Sequence, residues 1–532
     1  MILSWLILIP LCGGVLTGLL GRWEHGVRGR RAIRWIALGA ALLDLVLAAA
    51  IWLGRGAGAG VGGGGKGMAG LAQASGSWLI EQDFAWIPSL GIRYHLGLDG
   101  MSLLLVALTG FIGVIAVLVS WREITRRVGL FHSALLFVLA GINGVFLALD
   151  LVLFYVFWEV MLVPMYFVIG AWGHERRIYA AIKFFLFTLA SGLLMLVAIL
   201  GLHYFHGRAT GVYTFDYSAL IGTVLPVGTE RWLMLGFLAA FLVKLPAVPL
   251  HNWLPDAHSE APTAGSVILA ALLLKTGAYG LLRFILPLFP RAAAEFAPVA
   301  MLLGVIGILY GAMLAFAQRD LKRLVAYTSV SHMGFVLLGA FAGNELALQG
   351  TVMQMICHGI STGALFVIAG MLYERTGTRD LGRMGGFWAR MPRMGGMAMV
   401  FVLASLGLPG LGNFVGEILI LIGAYRANAV LAAIAAAGVV GATIYSLSLM
   451  QRVFLGAPVG GGGEVMAGRR DSSSTGAGLA GLGAALPDLT AREILVLAVL
   501  AIAIVWLGLF PQPVLNAAAP AISAIGRLFA AI

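Results

Sequence analysis

The chain has 532 residues, of which 61% are hydrophobic and 11% charged, with a mean hydropathy of +0.98. A soluble domain carries roughly a quarter of its residues charged, so a water-soluble protein is excluded. The formal net charge of +11 is read as basic loops on one side of a membrane rather than as a nucleic-acid surface.

Runs of about 20 apolar residues recur along the chain, each long enough to cross a bilayer core. The first, MILSWLILIPLCGGVLTGLLG, has no positive n-region and reads as a retained span, not a leader. Hydropathy places fourteen spans at 2–21, 33–53, 101–121, 131–149, 151–172, 180–202, 233–254, 263–289, 297–317, 324–343, 351–373, 397–425, 428–451 and 493–511. The expected fold is an all-α polytopic membrane protein. Cys12 and Cys357 both fall inside spans, give no disulfide framework or metal spacing, and are expected to pack as small hydrophobes.

Basic residues fix the expected orientation. The odd-numbered connections with their flanking turns hold 23 Lys and Arg; the even-numbered ones and the C-terminal tail hold 9. Lys244 and Lys275, inside spans, complete the 34. By the positive-inside rule the odd loops face the cytoplasm and both termini face outward.

Two Gly-rich stretches separate spans. GRGAGAGVGGGGKG (54–67) nearly spells a phosphate-binding loop, with Gly60, four residues, then Gly65 and Lys66. Gly67 stands where that motif needs a hydroxyl, and no strand precedes it, so a linker is the better reading. GAPVGGGGEVMAGRRDSSSTGAG (456–478) is read as a second linker, before the last span.

Four ionisable residues lie well inside spans: Glu159, Lys244, Lys275 and Glu417. A charge at the bilayer centre costs about 3 kcal/mol on insertion scales. Snorkelling accounts for residues near span ends, as Glu159 is, but hardly for Lys244 or Lys275. Two acids and two bases at this depth point to a proton or ion path; the alternative is a set of structural ion pairs. Helix breakers occur at the same depth, in KLPAVP of the seventh span and in GLPGLGNFVGE of the twelfth. Non-helical backbone inside a membrane is tolerated where it is covered by protein or lines a water-filled cavity, and transporters place such breaks at their ion sites. The breaks are five spans apart. Two inverted five-helix repeats, spans 4–8 and 9–13, would put them in corresponding positions. The expected divisions are 1–121, 131–289, 297–451 and 452–532.

If Glu159 approaches Lys244, their separation controls whether the pair holds its proton. Lys275 could take that proton up and Glu417 release it outward. His332, in AYTSVSHMGFVLLG, and His358, in MQMICHGISTGALF, stand between them as candidate relay members, since an imidazole passes a proton through its two nitrogens. His251 and His258 lie near the cytoplasmic mouth with Asp256 and Glu260. Their spacing suggests a metal site, but Pro255 and Pro262 argue against one regular helix, and an entry funnel with His251 at its mouth, or a structural loop, is the preferred reading. Ser259 is the expected cap of the eighth span.

The stretches KLPAVPLHNWLPDAHSEAPTAGSVILAALLLKTGAYGLLR, AYTSVSHMGFVLLG and MICHGISTGALF resemble the antiporter-like membrane subunits of respiratory complex I, over residues 95–455 or so. The resemblance implies fourteen helices, two inverted repeats and broken seventh and twelfth helices. It also implies a glutamate–lysine pair, a central lysine and a terminal ionisable group, which fall on Glu159, Lys244, Lys275 and Glu417. The L-type and N-type branches carry lysine at the last position, so Glu417 sets this chain apart from them. The implied function is proton translocation as a membrane subunit of an NADH–quinone oxidoreductase in a bacterial inner membrane. NADH, FMN, iron–sulfur clusters and quinone would sit in partner subunits, with L-type and N-type subunits adjacent. A cation/proton antiporter subunit, a membrane-bound hydrogenase subunit and an inert membrane spacer are the rival readings.

Overall fold

The computed structural model describes residues 1–23, 26–54, 78–457 and 486–530. Most of both Gly-rich stretches lies outside these residues. Twelve helices among the described residues are long and apolar enough to cross a membrane. They are α1 (Ile2–Leu20), α2 (Gly26–Gly54), α3 (Gly100–Glu123), α4 (Val128–Leu147), α5 (Leu151–Trp172), α6 (Arg177–Thr210), α9 (Thr263–Leu288), α10 (Pro290–Phe316), α11 (Leu321–Phe341), α12 (Glu345–Thr376), α15 (Ala429–Leu455) and α16 (Ala491–Leu509). Two further segments are broken. α7 (Val227–Lys244) and α8 (Trp253–Glu260) flank one break; α13 (Pro392–Ser405) and α14 (Gly412–Ala427) flank the other. Both breaks fall where the sequence places its prolines. A last helix, α17 (Gln512–Ala530), occupies the expected tail.

The all-α expectation needs one amendment. β1 (Ile80–Ile87) and β2 (Ile92–Leu98) form an antiparallel hairpin between α2 and α3. Its turn ends at Gly91, whose φ of 71° is costly for a residue with a Cβ. The strands are too short and polar to register in hydropathy.

α9 and α12 are enclosed on all sides, and both carry proposed site residues. In lipid there is no hydrophobic force between helices, so association rests on close packing and small residues. A Cβ on Gly304 of α10 would lie 2.8 Å from the Gly334 carbonyl oxygen of α11, and one on Gly334 would lie 2.6 Å from that of Gly304. The two backbones therefore touch there.

Local details correct several expectations. Ser259 lies within α8 and does not cap α9; its hydroxyl has no hydrogen-bond partner among the described residues. Glu123 at the end of α3 serves instead, accepting from the Thr263 amide at 2.9 and 3.1 Å and from its hydroxyl at 3.0 Å. A carboxylate satisfies an orphan helix donor as a local cap does, and its charge suits the helix N-terminus. Pro255 does not break α8, because it sits in the first turn, where the missing N–H has no intrahelical partner in any case. Cys357 is buried as expected, but Cys12 is exposed on the outside of α1.

Candidate functional site

The first break is built around the end of α7. Lys244 is the last residue of that helix, where a cation meets the negative end of the helix dipole. The chain then turns through Leu245–Asn252 before α8, and the Trp253 indole donates to the freed Val243 carbonyl at 2.9 Å. Gly277 of α9 admits this break: a Cβ there would lie 2.7 Å from the Phe241 carbonyl oxygen.

Lys244 is fully buried, and among the described residues its ammonium has no hydrogen-bond partner. It lies over the faces of Trp158 and Phe184, at 5.4 and 5.3 Å from the ring centroids. Glu159, next to Trp158, makes no ion pair with Lys244 within 4.0 Å. The expected contact is therefore a separated pair, with aromatic rings around the cation. Glu159 is half-buried beside Tyr155, and its Oε1 faces Gly192 of α6, where a Cβ would lie 2.8 Å from it.

Lys275 lies in α9 just after a π-helical turn, Leu269–Leu273. Such turns loosen the backbone ladder and often occur at functional sites. The Lys275 ammonium donates to the Ala270 carbonyl of that turn at 2.6 Å and reaches His358 Nδ1 of α12 at 2.7 Å. Among the described residues no acid bonds to it; its side-chain partner is a neighbour 83 residues away in sequence.

The second break faces Glu417. Gly407 and Gly410 take φ of 78° and 94°, left-handed values that the chain needs to turn between α13 and α14. A Cβ on Gly407 would lie 2.9 Å from Glu417 Oε2, so the carboxylate lies directly against the broken backbone. Its other oxygen, Oε1, meets His332 Nδ1 at 3.0 Å and accepts from Gln354 Nε2 at 2.9 Å. His332 Nε2 lies 3.3 Å from the Ser405 hydroxyl and 3.2 Å from that of Tyr445. Whenever Glu417 is a carboxylate it can only accept, and the His332 hydrogen then sits on Nδ1 with Nε2 accepting from the hydroxyls.

Lys275, His358, His332 and Glu417 thus converge in one buried zone. The two imidazole rings stand 5.5 Å apart between centroids, and His358 Nε2 has no hydrogen-bond partner among the described residues. The structure therefore gives two hydrogen-bonded pairs, Lys275–His358 and His332–Glu417, with no direct bond between the rings.

His251 lies in the first break, edge-on to Tyr310 and Tyr327. His258 is fully buried and stacked on Phe366 at 4.5 Å. Asp256 is held by Lys183 and Arg323, each at 2.7 Å, and Glu260 accepts from the Arg176 amide at 2.8 Å. These four do not converge on a common point, and among the described residues no group of three or more His, Cys, Asp and Glu could hold a metal.

Sequence reasoning missed Lys322, Gln354, Tyr445 and the buried Asp99–Arg283 ion pair. Lys322 was counted with a loop, yet it is buried and donates to the Ala261 carbonyl at 2.9 Å. Asp320, two residues before it, was the available signal that this helix end is not simply a solvated one.

A family profile described as NADH:quinone oxidoreductase/Mrp antiporter, transmembrane, matches residues 148–444. NADH-quinone oxidoreductase subunit M of Pseudomonas aeruginosa is 52% identical over 525 residues, covering 98% of this chain and 96% of the relative. The protein of the same name from Escherichia coli K12 is 50% identical over 534 residues, 99% of this chain and 98% of the relative. A chain of respiratory complex I from Thermus thermophilus with bound NADH superposes with a TM-score of 0.83 at 30% identity, over 99% of this chain and all of that one. The Mrp complex of a Dietzia species gives 0.77 at 23% identity, over 98% of this chain and 52% of that one, a likeness of fold alone.

Proposed function

The chain belongs to the NADH:quinone oxidoreductase/Mrp antiporter transmembrane family, and from that membership we infer that it is the M-type, proton-translocating membrane subunit of a bacterial NADH–quinone oxidoreductase. It is one part of a translocase and has no redox role itself. Other membrane subunits of the complex are its partners, and the cofactors of the complex lie in other subunits. We place NADH, FMN, the iron–sulfur clusters and quinone there, and L-type and N-type subunits beside this chain. Reading each broken pair as one crossing gives fourteen spans, in two inverted repeats over 131–289 and 297–451, with 1–121 before and 452–532 after. The bias of basic residues supports a bacterial inner-membrane orientation with both termini outside.

The observation that carries the mechanism is the pair of buried contacts at Lys275 and Glu417. A proton leaving the Lys275 ammonium enters His358 at Nδ1 while His358 releases one from Nε2. The proton released from His358 Nε2 reaches His332 Nε2, beside the Tyr445 and Ser405 hydroxyls, through a water molecule or ring rotation, as His332 passes its Nδ1 proton to Glu417 Oε1. Glu417 then releases the proton at the second break, where non-helical backbone meets the carboxylate. Upstream, a change in the Glu159–Lys244 separation loads or unloads Lys244, and His251 stands at the cytoplasmic mouth. Moving one charge against 100 mV takes about 2.3 kcal/mol, so the step must be driven by the quinone reaction in the partners.

The test is Lys244→Ala in the assembled complex, reconstituted into vesicles, with NADH oxidation and proton uptake followed on one sample. Loss of proton uptake with assembly retained supports the path. Wild-type rates of both make Lys244 structural and the path wrong.

A further inference from the structure

The hairpin is fastened to the body of the protein at His95 of β2. The His95 side chain is 4% exposed. Its Nδ1 meets Asp216 Oδ2, in the segment joining α6 to α7, and its Nε2 meets Glu81 Oε1 of β1 at 2.8 Å. Ionised carboxylates donate nothing, so satisfying both contacts requires hydrogen on both ring nitrogens. We propose that His95 is a proton-binding site that works as a latch: protonated, it ties the hairpin to the α6–α7 segment through Asp216 while bonding Glu81 across the hairpin, and on losing its proton it gives up either that tie or the bond that braces β1 against it.

The charges around the ring favour this. β1 contributes Glu81 and Asp83, and Asp83 is taken by Arg93 through bonds of 2.7 and 2.6 Å. The N-cap of α5 contributes Asp150, whose Oδ2 accepts from the Arg93 amide at 3.0 Å and whose backbone bridges Asp216. Asp216 also caps Ala219 at 3.1 Å. From α1 the hairpin meets Ser4, through Gln82 and Tyr94; at the start of α3, Asp99 is occupied by Arg283; from the end of α4, contact is through the backbone, with the Leu149 amide on the His95 carbonyl. Glu81, Asp83, Asp150 and Asp216 thus stand against Arg93 and the imidazolium. Burial disfavours the ring's charge, but the hydrogen bonds and charges of Asp216, then Glu81 and Asp83, outweigh it and raise the His95 pKa above the usual histidine value.

The sign follows from that direction. A group whose folded value is raised contributes its full stabilisation below the unfolded value, about 6.5 for histidine. The contribution is lost as pH rises through the folded value. Acid closes the latch and alkali opens it.

The latch lies in line with the core. β2 runs directly into α3 through Asp99, which is paired with Arg283 of α9, the helix that carries Lys275. Gly100 abuts the backbone of Ala517 in α17, where a Cβ would lie 1.7 Å from its carbonyl oxygen. If both termini face outward, as inferred above, the hairpin faces the compartment that receives protons, and acidification there tightens it.

Histidine C2 hydrogen–deuterium exchange, read by mass spectrometry on the intact complex in detergent across pH, gives the His95 midpoint directly. The expected midpoint lies above the usual value, and Asp216→Asn lowers it by about one pH unit or more, as loss of a nearby opposite charge does. Amide exchange of the hairpin, corrected for intrinsic rate, should lose protection as pH rises through the same midpoint. His95→Gln should remove that dependence. A midpoint at or below the usual value, an unchanged midpoint in Asp216→Asn, or the same pH dependence in His95→Gln would overturn the proposal. Asp216→Asn carries the test alone if His95→Gln does not assemble. None of these readouts depends on sidedness, so an error in the orientation leaves the latch standing and changes only which compartment operates it.

Discussion

Glu417→Gln isolates proton acceptance from packing. Glutamine keeps the shape of glutamate and an acceptor oxygen for His332 Nδ1 and Gln354 Nε2, which now meet Glu417 Oε1 at 3.0 and 2.9 Å. Each hydrogen bond changes from a charged to a neutral acceptor, from about 1.5–3 to about 0.5–1.5 kcal/mol. The two together lose about 2–3 kcal/mol, partly offset because a carboxylate no longer has to be desolvated. That loss is tolerable for a chain with this much enclosed packing, so the complex should assemble. An amide does not take up a proton, so the transfer from His332 has no acceptor. The assay is the ratio of protons taken up to NADH oxidised in sealed vesicles, beside the yield of intact complex. The expected result is normal yield with a lower ratio. An unchanged ratio at normal yield would refute the role of Glu417 and, with it, the direction of the path.

Two glycines set the positions of the two glutamates. Gly407→Ala, at a φ of 78° and with its new Cβ 2.9 Å from Glu417 Oε2, should displace that carboxylate and lower the proton ratio while leaving most complex assembled. Gly192→Ala should do the same to Glu159, with its Cβ 2.8 Å from Oε1; vesicle assays that match wild type for both variants would show that neither carboxylate position matters. Arg283→Met strands the Asp99 carboxylate and should cost about 3–5 kcal/mol, seen as a lower thermal midpoint of the complex. A midpoint within error of wild type would mean the pair is not buried in the assembled state. His174, half-buried in the turn between α5 and α6, is pushed down to about 3 by burial and by Lys322 and Arg379. Its folded value is depressed, so its contribution is present above about 6.5 and is lost as pH falls from there towards 3, by at most about 1.4 kcal/mol per pH unit. Amide exchange over 173–177, corrected for intrinsic rate, should therefore lose protection as pH falls, and less so in His174→Gln.

Much of this chain was legible one residue at a time, because hydropathy and helix breaking are local properties. A charge in an apolar run is costly wherever the run packs, so Lys244, Lys275 and Glu417 stood out. Prolines 246 and 249, and Pro409 with Gly410, marked both breaks because neither residue type continues a helix well. What sequence could not supply is the rotation of one helix against another. Lys275 meets His358 across 83 residues, His332 meets Glu417 across 85, and Glu123 caps α9 across 140. The approach of Glu159 to Lys244 was expected from charge alone, but the rings of Trp158 and Phe184 fill the space around the lysine. Lys322 looked like a loop cation because a helix end is buried only by what packs over it, which its own sequence does not record. The hairpin latch depends on the same kind of information. His95, Glu81 and Asp216 are unremarkable in the sequence, and only the fold puts two acceptor-only carboxylates on opposite sides of one imidazole. Local chemistry thus determined which residues the membrane would penalise, and tertiary packing decided which partners made that penalty tolerable.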